Sequence, residues 1–340
     1  MRERRFIRKL GRFYRKHTDL ANPRVSLDWV NDTGWESEIY AFTLAYGPKS
    51  DRHSEGRVLR LLTGGDYEAA MSEHRTLSLL HKAEYPVPQP YHLGSPRDGF
   101  RRPFIIMELI EGGNFSARFN ENPQGEPLRQ FIALFRRLHS LDWRPYVPDA
   151  EAVSPPEQPY YHFDQKMAEY AQALDRAGMD VFDPIMDWLH ENRGRAACNR
   201  ASVVHMDFHH NNILEDSDGK CYVIDWTAGD ISDYRFDLGW TLTLALAYRG
   251  PEAHTAILAE YERQMGDQVE SMDVFEVAGL IRRIGTVMIS VAAGADSLGM
   301  RPEAVNAMRR DRIPLERLYQ RLVKLTGKSF PEIEEFLSHL

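Results

Sequence analysis

Residues 203–238 constrain the fold of this chain more than any other stretch. They read VVHMDFHHNNILEDSDGKCYVIDWTAGDISDYRFDL. Apolar runs at 201–206 and 221–226 have the length and composition of buried strands. A polar loop joins the two runs and is closed by the turn pair Asp218-Gly219. We therefore predict a hairpin of two strands that carries polar side chains at its strand ends.

The polar residues at these strand ends suit a cation site. Asp207 and Asn212 follow the first strand, and Asp225 lies near the end of the second. Carboxylate and amide oxygens are the ligands that Mg²⁺ prefers in proteins. In phosphoryl transfer, such a site positions an acceptor hydroxyl and neutralises charge. The predicted roles are a base for Asp207 and metal ligands for Asn212 and Asp225.

The spacing His-x-Asp-x4-Asn, from His205 to Asn212, is that of the catalytic loop of protein kinases. The segment resembles the aminoglycoside phosphotransferase and choline kinase family, whose loop is usually His-Gly-Asp-Leu-His-x-x-Asn before a strand ending Ile-Asp-Trp. Here residues 205–212 read HMDFHHNN and residues 224–226 read IDW. Asp237-Leu238 matches the end of the family's Gly-Asp-Pro-x-x-Asp-Leu segment in register.

The departures from the family pattern fall on residues that shape the backbone. Met206 and Asn211 stand where the family has glycine, and Tyr234 stands where it has proline. The residues predicted to carry the chemistry are retained. The resemblance assigns supporting roles in the loop to His205, His209 and Asp237.

Two alternatives to an active kinase have support in the same residues. His205, Asp207, His209 and His210 crowd together as the ligands of a zinc hydrolase do. However, the strand that follows ends in an isolated carboxylate without another histidine. The second alternative is a nucleotide-binding module of the same fold that has lost catalysis.

The first part of the chain has the pattern of a small antiparallel sheet with one helix. Apolar residues alternate with polar ones in the first two strands. We predict strands at 25–29, 40–46, 58–62 and 104–110, and a helix at 67–81 after the turn Gly64-Gly65.

The resemblance gives this part a nucleotide-binding role. The segment 31–38 would lie over the phosphates, which main-chain amides and the Ser37 hydroxyl would bind. Arg60 and Glu73 match the lysine and glutamate that kinases pair against the α- and β-phosphates, although a guanidinium binds phosphate differently from an ammonium. The alternatives are a plain hairpin turn at 31–38 and a surface ion pair between Arg60 and Glu73.

The strand at 104–110 runs into Gly112-Gly113, as a hinge between two domains would. In the family the main chain of this hinge binds the adenine edge, which implicates Glu108 and Ile110. Beyond the hinge the chain is predicted to be helical, apart from a proline-rich loop at 141–159. The predicted helices are at 128–140, 161–177, 181–193, 238–248, 251–265, 274–291 and 302–325.

Helices of this region wall the acceptor pocket in the family. Aromatic and acidic residues of these helices, such as Tyr161, Asp164 and Asp233, could receive a cationic acceptor, although most residues of the helical stripes must form the core. Charge is distributed accordingly: residues 1–140 hold 22 basic and 17 acidic groups, and residues 141–340 hold 20 basic and 33 acidic groups. A basic first part suits a nucleotide, and an acidic second part suits a cation. Solvation of the helices by their acidic residues would explain the same distribution.

The basic segment 1–19 has an amphipathic pattern, with Phe6, Leu10, Phe13 and Tyr14 on one helical face. Either this helix contacts nucleic acid or an anionic membrane, or it packs its apolar face on its own domain. Amphipathic helices more commonly pack their apolar face on their own domain. We therefore expect no nucleic-acid partner.

These observations predict a two-lobed α+β protein of the protein kinase-like fold, with a nucleotide-binding lobe at 1–110 and a helical lobe at 111–340. The expected activity is transfer of the γ-phosphate of ATP or GTP, with Mg²⁺, to a hydroxyl of a small and potentially cationic acceptor. Only two cysteines occur, and no apolar run approaches the length of a membrane span. A cytoplasmic location is expected.

Overall fold

The computed structural model describes residues 3–31, 37–63, 66–147, 157–294, 304–310 and 312–340. Two compact units are present: Met1–Gly113 with Leu214–Thr227, and Asn114–Ile213 with Ala228–Leu340. The first unit is built on antiparallel sheet and the second on helices, which confirms the predicted α+β class. The segment 214–227, predicted to lie in the second domain, belongs to the first unit. No helix among the described residues is long and apolar enough to cross a membrane.

A five-stranded sheet forms the centre of the first unit, in the order β1-β2-β3-β5-β4, and all neighbouring strands are antiparallel. Its strands are β1 (Arg24–Asn31), β2 (Ser37–Tyr46), β3 (His53–Leu62), β4 (Pro90–Gly94) and β5 (Phe104–Glu108), and its helices are α1 (Glu3–His17) and α2 (Tyr67–Lys82). The predicted strands and helix are confirmed. β3 begins five residues before the predicted start because its polar first half pairs with β2 through main-chain bonds.

Helix α1 packs its apolar face on this sheet. Phe6 and Leu10 are fully buried, the Phe6 ring stacks on Tyr40 at 4.7 Å between centroids, and the Phe13 ring meets Phe104 edge-on at 5.2 Å. Aromatic pairs at these distances add to the energy of burial. The apolar face of α1 is therefore occupied by its own unit, as the second interpretation of this segment holds.

The half-buried His92 on β4 makes the stability of the protein depend on pH. Burial lowers the pKa of His92 from 6.5 to about 4, and the nearby Arg57, His74 and His17 add to this effect. The folded protein thus keeps His92 neutral, whereas the unfolded chain takes up a proton below pH ~6.5. Stability from this residue is complete above that pH and is lost as the pH falls toward about 4.

We expect the loss from His92 alone to be about 2 kcal/mol between pH ~6.5 and ~4. The measurement is urea unfolding of the wild type and His92→Gln across this range. The variant should show a shallower decline with falling pH, because its side chain does not titrate. The exposed His190 provides the control, since His190→Gln should follow the wild-type slope. Parallel slopes for wild type and His92→Gln would contradict the prediction.

The strands around the predicted hairpin pair differently from the prediction. β6 (Gly112–Asn114), β8 (Ile213–Asp216) and β9 (Cys221–Val223) form one small sheet, and β7 (Ser202–Val204) pairs with β10 (Asp230–Ser232). The predicted pairing of the strands at 201–206 and 221–226 is wrong. The Asp218-Gly219 turn is present, with Gly219 at φ 79°, but it closes the short hairpin β8–β9. This turn brings β8 against β9 and so leaves β7 without that partner.

The second unit consists mainly of helices. They are α3 (Ser116–Glu121), α4 (Glu126–Ser140), α5 (Tyr161–Ala177), α6 (Asp183–Glu191), α7 (Tyr234–Arg249), α8 (Pro251–Met265), α9 (Met272–Ala293), α10 (Ala304–Met308), α11 (Arg312–Thr326) and α12 (Pro331–Ser338). The predicted helix at 302–325 is divided into α10 and α11, because Pro314 is tolerated only in a first turn. The helix α12 was not predicted, and residues 148–156 of the predicted loop lie outside the described residues.

Helices α7 and α9 approach each other closely at two glycines. A Cβ on Gly239 would lie 2.5 Å from the main-chain oxygen of Phe275, and one on Gly279 would lie 2.6 Å from Oγ1 of Thr243. Such distances are shorter than any side chain tolerates. The glycines therefore set the spacing of the two helices that flank the predicted catalytic loop.

Candidate active site

Arg60 is the centre of a buried polar cluster in the first unit. Its Nη1 donates to Oε1 of Glu73, its Nη2 donates to Oδ1 of Asp225 at 2.9 Å, and its Nε donates to Oγ of Ser37 at 3.2 Å. Arg60 is 6% exposed and Glu73 is 3% exposed. The alternative of a surface ion pair is thus wrong. The Arg60 guanidinium therefore bonds both to Glu73, its predicted partner, and to Asp225, a predicted metal ligand.

The local sequence explains this cluster. Arg60 stands between the buried Leu59 and Leu61 on β3, and α2 carries Glu73 on its buried side after the N-cap of Asp66, whose carboxylate accepts from the first helical amides. Asp225 follows β9 in the left-handed conformation, with φ 67°. This conformation is uncommon for a residue with a side chain and often marks a functional position.

The predicted hinge is described in full, whereas the predicted phosphate loop is described only at its two ends. The N–H of Glu108 donates to Gln89 O at 2.9 Å, so at most its carbonyl is left for a ligand. No main-chain hydrogen bond to Ile110 is found among the described residues. The central residues of the predicted phosphate loop, including Thr33 and Gly34, lie outside the described residues, as does the Gly64-Gly65 turn. Ser37 is placed, and its hydroxyl contacts Arg60.

Asp207 is held by three side chains of the second unit. Its Oδ1 accepts from Nε1 of Trp240 at 2.9 Å. Its Oδ2 accepts from Nδ2 of Asn212 at 3.2 Å and lies 3.4 Å from Nε2 of His209. The side chain is 36% exposed, so a substrate can reach it. Both oxygens thus have a fixed direction, and the carboxylate remains accessible.

The environment of Asp207 favours its ionised form. Burial raises the pKa of a carboxyl, but the hydrogen bond and charge of His209, the Trp240 N–H and the charge of His205 outweigh burial and bring the pKa of Asp207 well below its usual range. An ionised carboxylate is the form that accepts a hydrogen bond from a hydroxyl. Burial and the nearby Arg249 lower the pKa of the neighbouring His210 to about 4. A salt bridge to a carboxylate would instead raise the pKa of a histidine.

The main chain of the loop is fixed by Asp237. This fully buried carboxylate accepts from the N–H of His205 at 2.6 Å and from that of Met206 at 2.8 Å, and Nε2 of His139 lies 3.2 Å away. Met206 has φ 60°, a conformation that glycine adopts without strain. Nη1 of Arg282 donates to the Met206 carbonyl at 2.6 Å. These contacts hold a non-glycine residue in the backbone conformation that favours glycine.

Two predicted metal ligands, Asn212 and Asp225, present oxygen atoms from their side chains. Nδ2 of Asn212 donates to the main-chain oxygen of Asp207 at 3.0 Å, which leaves the amide Oδ1 as a ligand. The Asp225 side chain is 40% exposed. Both groups offer the oxygen ligands that suit Mg²⁺. Among the described residues no three His, Cys, Asp or Glu side chains converge as zinc ligands do, so the hydrolase alternative receives no support.

The predicted cation-binding residues are already neutralised. Asp164 forms a two-bond pair with Arg193, at 2.6 Å for each bond. Asp233 caps α7 through the N–H of Arg235 and pairs with its guanidinium at 2.7 Å. Tyr161 contacts the His162 ring edge-on. These contacts give no preference for a cationic acceptor.

A cavity of about 150 Å³ adjoins the loop within the second unit. Its walls are mostly apolar side chains of α3, α4, α7 and α8, and its polar edge is formed by the loop residues His209 and His210 with Arg249. The apolar lining consists of Phe119, Phe131, Leu244, Ala245, Tyr248 and Ile257. None of the described residues that line this cavity carries a carboxylate, so this lining suits a neutral, largely apolar group.

Sequence reasoning did not identify Trp240 or Arg282. Trp240 lies three residues after Asp237 on α7, and side chains at this spacing share one helical face. Arg282 is a charged residue within a long apolar helix. The three-residue spacing from Asp237 and the charge within an apolar helix are the sequence patterns that could have identified Trp240 and Arg282.

Comparison with known proteins gives the following. A sequence model of the phosphotransferase enzyme family matches residues 30–274. No curated protein matches the chain. The structure resembles an aminoglycoside-3′-phosphotransferase of type VIII (20% identity, 75% of this chain and 92% of that chain, TM-score 0.52). It also resembles macrolide 2′-phosphotransferase MphH from Brachybacterium faecium (17% identity, 88% of this chain and 97% of that chain, TM-score 0.53).

A third similar structure is a thermostable mutant of aminoglycoside phosphotransferase APH(4)-Ia in a ternary complex with AMP-PNP and hygromycin B. It is 14% identical, covers 94% of this chain and 98% of its own, and has a TM-score of 0.53. Identities this low establish a shared fold only. The predicted kinase-like fold is confirmed by these likenesses together with the family match.

Proposed function

The chain belongs to the phosphotransferase enzyme family, and from this premise we propose that it transfers the γ-phosphate of ATP or GTP to a hydroxyl of a small molecule. The observation that carries the proposal is the accessible carboxylate of Asp207, oriented by Trp240 and Asn212 in a loop with the family's spacing. The γ-phosphoryl group passes to the hydroxyl oxygen, the hydroxyl proton passes to Asp207, and the nucleoside diphosphate leaves.

The proposed role of Asp207 is to orient the acceptor hydroxyl and take its proton. In phosphoryl transfer most of the catalysis comes from positioning and charge stabilisation. A carboxylate with a lowered pKa is a weak base, so its main contribution is a hydrogen bond that directs the hydroxyl. Proton transfer then follows as the new bond to phosphorus forms.

Asn212 and Asp225 are the proposed Mg²⁺ ligands, through the amide oxygen and the carboxylate. When bound, the metal would neutralise charge on the transferred phosphate. Asp237, His205 and His209 hold the loop in shape through the contacts described above. Their proposed role is support of the loop rather than contact with the reacting atoms.

The proposed nucleotide contacts come from the first unit. The Arg60 guanidinium would bind the α- and β-phosphates and Glu73 would orient it, with the Ser37 hydroxyl beside them. The Glu108 carbonyl and the Ile110 main chain would bind the adenine edge. The complex of a structurally similar protein with AMP-PNP and hygromycin B supports a nucleotide and a small acceptor as ligands. A cytoplasmic location is part of the proposal.

Release of ADP or GDP with Mg²⁺ tests the proposal on a panel of hydroxyl acceptors that includes cationic, neutral and apolar members. We expect acceptor-dependent release for at least one member, with loss of release after Mg²⁺ is removed by EDTA. Neutral acceptors with an apolar ring should be favoured, because the described lining of the cavity beside the loop is mostly apolar and includes no carboxylate. Absence of turnover with every acceptor and both nucleotides would overturn the proposal.

One contact favours the alternative of an inactive nucleotide-binding module. The carboxylate of Asp225, a proposed metal ligand, is already bonded to Arg60 at 2.9 Å, and this bond competes with a metal. Thermal shift with MgATP and with ATP in EDTA distinguishes the two functions. Metal-dependent stabilisation supports the kinase, whereas equal stabilisation without metal and no turnover supports the module.

A further inference from the structure

The indole N–H of Trp240 is the donor that fixes the direction of the Asp207 carboxylate. Trp240 is 7% exposed, and its Nε1 lies 2.9 Å from Oδ1 of Asp207. An indole has one N–H and no acceptor, so this bond uses its whole polar capacity. The carboxylate torsion of an aspartate is otherwise broad.

The two carboxylate oxygens have different partners. Asn212 and His209 lie at Oδ2, and Trp240 donates to Oδ1. Donors on both oxygens stop the carboxylate from turning about its Cβ–Cγ bond. A hydroxyl that approaches the accessible part of Asp207 therefore meets an acceptor that is already oriented.

Arg282 holds the indole and the loop at the same time. Its guanidinium carbon lies 3.9 Å from the centre of the Trp240 ring, within the range of a cation–π contact. Its Nη1 donates to the carbonyl of Met206, the residue before Asp207, at 2.6 Å. One side chain of α9 thus links the ring on α7 to the loop main chain.

The close approach of α7 and α9 makes this contact possible. Gly239 precedes Trp240, and Gly279 lies one turn before Arg282. Neither glycine position has room for a Cβ. A wider spacing of the helices would separate the guanidinium from the indole.

On the basis of the proposed function, we propose that Trp240 and Arg282 are positioning residues for phosphoryl transfer. Trp240 fixes the Asp207 carboxylate, and Arg282 fixes Trp240. Neither residue takes up or supplies a proton in the reaction. Misplacement of a catalytic group by about 1 Å can lower a rate on the order of a hundredfold.

The substitution that isolates the N–H is Trp240→Phe, which keeps an aromatic ring in the same place. We expect kcat to fall about tenfold to a hundredfold, with KM for the nucleotide within about twofold of wild type. Water serves as acceptor in MgATP hydrolysis, so this measurement does not require the natural acceptor. The matched control is Trp188→Phe, an equally buried tryptophan of α6, which should leave kcat unchanged.

Arg282→Met should act through the same contact. We expect a fall in kcat similar to that of Trp240→Phe, and a fall in the double variant that is smaller than the product of the two single effects, since the two residues share one contact. Arg282→Lys keeps the charge and one donor to Met206, so it should recover part of the rate. Multiplication of the two effects in the double variant would contradict the proposed chain of contacts.

A spectroscopic readout separates positioning from folding and from the proposed function. The sequence has six tryptophans, and the indole ¹H–¹⁵N signal of Trp240 is the one that Trp240→Phe removes. In Asp207→Ala, which removes the acceptor of the indole N–H, this signal should move while that of Trp188 stays in place. An unmoved Trp240 signal would overturn the proposal, even in an active enzyme. A moved signal in a protein without any turnover would sustain the contact and refute the kinase function.

Discussion

Asp207→Asn should lower the kcat of phosphoryl transfer by about 10²–10⁴-fold and leave the protein folded. Asparagine has the same shape as aspartate, and its amide oxygen can still accept from Trp240. It cannot accept a proton from the acceptor hydroxyl. The loss should therefore appear in kcat, with little change in KM for the nucleotide, because Asp207 is proposed to contact the acceptor and not the nucleotide.

Steady-state ADP release at saturating MgATP is the measurement. Asp187→Asn provides the control, since Asp187 is an exposed aspartate of α6 in the same unit. Its kcat should equal that of wild type. Thermal unfolding of both variants shows whether the fold is kept. A kcat for Asp207→Asn within about twofold of wild type would mean that another group, or none, acts as the base.

Arg60→Met should have the largest effect on stability, a loss of about 3–5 kcal/mol in the free energy of unfolding. Methionine fills a similar space but leaves the buried Glu73 carboxylate without its cation. Asp225 and Ser37 lose a donor as well. Urea unfolding measures the loss. A decrease in the free energy of unfolding of less than about 1 kcal/mol would be typical of a surface ion pair and would contradict the prediction.

A double variant separates the structural role of Arg60 from its proposed phosphate role. Replacing both buried charges, as in Arg60→Met with Glu73→Met, should recover most of the stability, because an apolar pair avoids the cost of an unpaired charge. Affinity for MgADP, measured by calorimetry, should remain low in this double variant. Affinity equal to that of wild type would remove Arg60 from the nucleotide site.

The matched control for Arg60 is Arg57 on the same strand. It is similarly buried, pairs with Glu55 at 2.6 Å and stacks over Tyr91. It lies three positions before Arg60, and side chains at an odd spacing on a strand face opposite sides of the sheet. Arg57→Met should destabilise the first unit and leave MgADP affinity unchanged. A comparable loss of affinity in both variants would point to unfolding of the unit as its cause.

The type of most elements could be predicted because it depends on local patterns. Alternation of apolar residues identified β1 and β2, and helical periodicity identified α2, α4, α5 and α8 with ends that agree closely. Pro314 indicates the first turn of a helix, but the prediction did not take it into account, and the predicted helix at 302–325 is two helices in the structure. Strand β8 was not predicted because its four residues contain only two apolar ones.

The candidate site was predictable where its residues lie close together in sequence. Asp207 and Asn212 belong to one loop, and the spacing between them places the amide of one against the carboxylate of the other. The nearby Asp237 was also recognised, from its register within the same segment. Trp240, which donates to the same carboxylate, and Arg282, which contacts the Trp240 ring and the Met206 carbonyl, were not identified.

By itself, the sequence determined the types of the main elements and the polar residues of the loop, since both are encoded in short-range spacing. Only the tertiary structure decided that β7 pairs with β10, that the predicted Arg60–Glu73 pair is buried and bonded to Asp225, and that Trp240 and Arg282 hold the loop. Strand partners and such contacts join residues far apart in the chain. Their energies depend on which surfaces pack together, and periodicity along one segment carries no information about its partner.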